Sequence, residues 1–99
     1  MLLTDKQKRH LRSLAHPLKP IVIIAGNGLS ESVLAALNEA LDHHELVKVS
    51  VRVGDRDARA EVISAMESTT GATCVQSIGN AAVLFKRNNQ APKISLGGL

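Results

Sequence analysis

Aromatic residues are almost missing from this chain. Phe85 stands alone, with no Trp and no Tyr among 99 residues. That excludes RNA or base recognition by stacking on Tyr, Phe or Trp platforms. Cysteine is nearly missing too. Cys74 has no second thiol to pair with, which excludes an intrachain disulfide and suits a cytosolic protein. No apolar run approaches the length needed to span a membrane, and Met1-Leu2-Leu3 passes straight into Asp5 and Lys6, so no secretory leader is expected. The four histidines, His10, His16, His43 and His44, hold no familiar zinc spacing to Cys74 or to one another, so no metal or other cofactor is expected. No Ser or Cys has a visible base and orienting group, so neither an enzyme nor a small-molecule substrate is expected.

What is present is a globular composition, 44% hydrophobic, with a net charge of +3. Such a chain has material for one modest core, and its charge fits an anionic partner without demanding one. The organising stretch is Pro20 to Leu29. A β-branched run, Ile21 to Ile24, suits a buried strand; Gly26-Asn27-Gly28 breaks it; Ser30 is a good N-cap for the helix beyond. Strand, glycine turn and helix N-terminus together leave backbone N–H groups and a positive dipole end at one spot, suited to phosphate. A plain structural turn explains the same residues. The loop is neither a P-loop nor a dinucleotide fingerprint, since no Gly-Lys-Ser/Thr follows and Glu31 stands where the third glycine would be.

Along the chain, Thr4 to Gln7 has capping-box spacing, and the helix that follows gathers Leu3, Leu11, Leu14 and Leu18 on one side. Lys8, Arg9, Arg12 and His16 lie opposite, with Lys6 to one flank; this basic back is either a solvated face or a contact for an anion. Strand one (21–24) is apolar on both sides and calls for cover on both. Helix two runs from Ser30 to about His43, with Val33, Leu34, Leu37 and Leu41 as its core stripe. Strand two (46–53) alternates Val47, Val49, Val51 and Val53 against Lys48, Ser50 and Arg52, which predicts one buried face and one wet, basic one. Helix three (56–70) closes at Gly71. Strand three (73–78) and the apolar strand four (81–85) flank a Gly79-Asn80 hairpin turn. From Lys86 onward the pattern is lost, and residues 88–99 read as a flexible tail after a domain of residues 1–87.

The order αβαβαββ, with right-handed crossovers, places helices two and three on one sheet face and leaves helix one to cover part of the other. The more polar strand three is the better edge. The expected fold is therefore a two-layer α/β (α+β) domain with a four-stranded mixed sheet in the order 1-2-4-3.

Four stretches carry a resemblance: L-T-D-K-Q-K-R-H-L-R-S-L-A-H-P-L-K-P, G-N-G-L-S-E-S-V, H-H-E-L-V-K-V and T-G-A-T-C-V-Q-S-I-G. Up to about Arg87 the chain resembles the bacterial YhbY proteins, single-domain members of the CRM (chloroplast RNA splicing and ribosome maturation) group. The resemblance implies a fold like the C-terminal domain of translation initiation factor 3. It also implies RNA binding and association with precursors of the large ribosomal subunit. The family's GxxG loop falls on Ala25-Gly26-Asn27-Gly28, with alanine in place of the first glycine. The expected RNA contacts are Ala25, Gly26, Asn27 and Gly28, joined by Lys19, Lys6, Lys8, Arg9, Arg12, Lys48 and Arg52. The expected partner is ribosomal RNA, met by a cytoplasmic monomer with no membrane contact. A cofactor for intron-type structured RNA and a protein–protein adaptor with a basic face are the alternatives.

Overall fold

The computed structural model describes residues 3–26 and 28–96. Seven elements follow in the order α1 (Asp5–Ala15), β1 (Val22–Ile24), α2 (Glu31–His44), β2 (Leu46–Val51), α3 (Arg56–Thr70), β3 (Thr73–Ile78) and β4 (Ala81–Phe85). Local signals start and stop the helices. Thr4 and Gln7 form a reciprocal capping box, Ser30 caps α2, and the Asp55 carboxylate caps α3 by accepting from the Ala58 N–H at 2.9 Å. Gly71, at φ 79, ends α3 in the left-handed conformation that favours glycine.

The sheet order is β1-β2-β4-β3, with β1 parallel to β2 and the other pairs antiparallel. Helices α2 and α3 pack one face. Leu37, Leu41 and Met66 meet Val22, Ile24, Val47, Val49, Val51, Ala82 and Leu84 there. Helix α1 covers half of the other face, where Leu11 and Ala15 sit on Leu46, Val75, Val83 and Phe85.

Four expectations need correction. The buried stripe of α1 is Leu11 with Ala15, while Leu14 and Leu18 are each 39% exposed and Lys8 is half-buried. The helix docks on the smallest side chain available, Ala15, and this rotates the leucine stripe partly out. Strand β2 ends at Val51, and its second face is not simply wet: Ser50 is buried and Lys48 half-buried, because β1, β4 and α1 crowd a central strand. Strand β1 is covered on one face only. Val22 and Ile24 are buried, but Ile21 and Ile23 are more than half exposed, because α1 does not reach this edge.

The last correction is the segment after β4. Where a patternless tail was expected, residues 87–96 fold back over the α1 layer and bury Leu96. Glu45 holds them. Its side chain is fully buried, and its carboxylate accepts from the N–H groups of Asn88 (2.6 Å), Lys93 (2.6 Å) and Ile94 (2.8 Å) and from Arg87 at 3.2 Å. Burial alone would raise this carboxyl's pKa; the three amides and the Arg87 guanidinium outweigh it and hold the pKa below the ordinary value.

Candidate nucleic-acid interface

The glycine loop sits where strand β1 hands the chain to α2. The Gly28 N–H donates to the Ala25 carbonyl at 2.8 Å, closing a tight turn, and Gly28 has φ 68. A side chain at Gly28 would therefore be strained although open space surrounds it. Ala25 and Gly26 both lie outside the positive-φ region, so alanine at the loop's first position carries no backbone strain. Asn27 lies outside the described residues. Ser30 accepts from the Val33 N–H at 3.3 Å. Among the described residues no acceptor meets the N–H groups of Glu31 or Ser32, as expected at the first turn of a helix. Ile23, Ala25, Gly26, Gly28, Ser30 and Val33 line a shallow concavity of about 290 Å³ beside the loop.

Arg52, the residue after β2, lies beside the end of β1. Its backbone N–H donates to the Ile24 carbonyl at 2.7 Å, and its Nε donates to the Ser50 hydroxyl at 3.1 Å. Ser50 thereby fixes the guanidinium over the half of the sheet that α1 leaves open. Lys48 lies on the same strand face, about 13 Å from Arg52 at the rise of a β-strand. It shares a groove of about 260 Å³ with Arg12 of α1, with His16 at the end of that helix and with Gln76, Ile78, Ala81 and Val83 of the sheet. The open face thus runs from α1 past Lys48 and Arg52 to the loop.

Of the other expected contacts, Lys19 lines a neighbouring apolar groove of about 320 Å³ with Leu14, Leu18, Ile21 and His44, and Lys48 is common to this groove and the basic one. Lys6 and Arg9 are exposed on α1, outside both grooves. Lys8 lies half-buried. His16, which the sequence grouped with the basic back of the first helix, also lines the basic groove, as does Gln76, which no sequence signal marked.

Charge is divided between the two sides. The α1 side carries Lys6, Lys8, Arg9, Arg12, Lys19, Lys48 and Arg52 against Asp5. The α2–α3 layer, with the α3 cap, carries Glu31, Glu39, Asp42, Asp55, Asp57, Glu61 and Glu67 against Arg56 and Arg59. A modest net charge therefore becomes a strong asymmetry, and a polyanion is drawn to one face and repelled by the other. Cys74 takes no part: burial and the neighbouring Glu67 push its thiol pKa up, which keeps it protonated. Among the described residues no cluster of His, Cys, Asp or Glu could hold a metal ion.

These features define a small α+β domain with a glycine loop at a helix N-terminus and a one-sided basic sheet face. The CRS1 / YhbY (CRM) domain model matches residues 3–86, and the chain belongs to that family. An RNA-binding protein of Haemophilus influenzae is 47% identical over 94 residues, covering 95% of this chain and 94% of its own. A Bacillus subtilis protein named a probable RNA-binding protein is 38% identical, covering 96% and 99%. The solution structure of a hypothetical Staphylococcus aureus protein, proposed to bind RNA, superposes with a TM-score of 0.78 at 33% identity, covering 95% of this chain and all of that one. The family and fold expectations hold.

Proposed function

We propose that this chain is a non-catalytic RNA-binding protein that associates, as a cytoplasmic monomer, with ribosomal RNA in precursors of the large ribosomal subunit. The observation that carries the reading is the basic sheet face that joins α1 to the Gly28 loop, set against an acidic helical layer. The names of the relatives, each given for RNA binding, support it. Phosphates take the basic side chains and the loop amides, and the rigid sheet keeps these donors in register. Nothing in this mechanism breaks a bond; the protein holds a segment of RNA in one shape.

Sedimentation tests the reading. The tagged chain, run on gradients of cell extract, is expected to travel with large-subunit precursors and to leave them after ribonuclease treatment. Sedimentation only at the position of the small, unbound protein would refute the ribosomal assignment. A protein contact is the second reading, favoured by the apolar groove at Leu14, Leu18 and Ile21; it predicts association that survives ribonuclease.

A further inference from the structure

We infer that the groove between α1 and the open sheet face is a pocket for one unpaired nucleobase, adenine by preference, read by Gln76. This rests on the RNA-binding reading and goes beyond it, since phosphate contacts alone carry no sequence information.

The first observation is a β-bulge. In the β3–β4 ladder Cys74 pairs with Leu84 and Gln76 with Val83, leaving Val75 as an extra residue. Val75 packs in the core beneath α1, and Gln76 opposite Val83 falls on that same face. Regular alternation would have turned one of them away. Bulges of this kind re-aim side chains and recur beside functional sites. The second observation is what the bulge aims Gln76 into. The groove holds about 260 Å³; Ile78, Ala81 and Val83 contribute its apolar surface, Arg12 and Lys48 contribute its cationic groups and His16 an imidazole, with no carboxylate among the lining residues. Ile78 is 66% exposed and gives the groove an accessible aliphatic wall.

These parts match one chemistry. A flat heterocycle lies on the aliphatic surface, which serves where the chain has no aromatic platform. The Gln76 amide then offers a donor and an acceptor side by side. An unpaired base meets it with a neighbouring donor and acceptor, in adenine the exocyclic amine and a ring nitrogen, and adenine's two rings cover more of the aliphatic surface than a pyrimidine does. Arg12 and Lys48 neutralise the phosphates on either side. An acidic peptide would satisfy the cations but would leave the paired amide groups without a planar partner.

The test is fluorescence titration of the intact protein with short labelled oligo-A, oligo-C and oligo-U at one fixed salt concentration. The wild-type chain is expected to bind oligo-A roughly five- to tenfold more tightly than the others, from the larger apolar area of the purine on the aliphatic surface. Gln76→Met keeps the volume and removes the amide; it should weaken oligo-A binding about fivefold or more while its salt dependence, set by phosphates, persists. Ile78→Ser should weaken binding to all three oligomers. Thermal melts check that both variants fold. A wild-type chain that binds all three equally, or oligo-A binding undiminished by Gln76→Met, overturns the pocket and leaves RNA binding standing. Failure of the wild-type chain to bind any oligomer overturns the RNA-binding reading itself.

Discussion

Glu45→Ala removes the group that ties the C-terminal segment to the domain. The carboxylate serves three backbone amides and Arg87, and charge-assisted hydrogen bonds contribute about 1.5–3 kcal/mol each where the freed donors stay buried. Here the donors need not stay buried, because the segment can lift away and reach water. The loss is then limited to undocking residues 87–96, including Leu96, and we expect about 3 kcal/mol, at the low end for breaking a buried ion pair. The backbone adds a second, separable effect. Glu45 has φ 60 and ψ −40, a region that residues with a Cβ rarely adopt. Glu45→Gly loses the same hydrogen bonds but relieves that strain, so it should be less destabilising than Glu45→Ala by about 1 kcal/mol. Urea unfolding followed by circular dichroism measures both, with m-values checking that the denatured states are comparable. A Glu45→Ala loss below about 1 kcal/mol would refute the anchoring role. A glycine variant no more stable than the alanine variant would refute the strain.

Three further outcomes follow from the same structure. Because the folded-state pKa of Glu45 is lowered, its contribution is complete above the unfolded value of about 4.3 and is lost as pH falls through the lower folded value; wild-type stability should drop in that acid window more than that of Glu45→Ala. Arg9→Ala and Arg12→Ala, both exposed, should change stability by no more than about 0.5 kcal/mol in melts yet weaken RNA binding; unfolding of either would contradict the docking of α1 through Leu11 and Ala15. Glu31→Gln removes an anion from the first turn of α2, beside the loop, and should tighten RNA binding; unchanged affinity would place the phosphate elsewhere.

Much of the fold was legible in local signals. The capping box at Thr4, the Ser30 cap, the Gly71 stop and the Gly79-Asn80 turn are short-range chemistry, and the elements they bound match their expected ranges closely. The 1-2-4-3 order followed from crossover handedness and from the polarity of β3. What escaped depends on tertiary contact. Which side of α1 docks was decided by the sheet beneath it, so the leucine periodicity pointed only approximately. The anchoring of residues 87–96 depends on Glu45, a lone acid at a helix end that reads as solvent-exposed until its four long-range partners are known. The turn between β1 and α2 was visible because glycine marks it. The role of Gln76 was not, since a bulge cannot be located from one strand's residues alone.

The central claim is that the basic sheet face and the Gly28 loop grip RNA phosphates, and one titration series tests it most directly. Binding of single-stranded RNA is measured against salt for the wild-type chain and for Gly28→Asp. Three to five phosphate contacts predict a slope of roughly −2 to −3.5 in log affinity against log salt for the wild type. Open space surrounds Gly28, and aspartate tolerates positive φ better than most residues, so the variant should stay folded. Its carboxylate would stand where the phosphate binds, and affinity should fall sharply. A flat salt response, or undiminished binding by folded Gly28→Asp, would contradict the account.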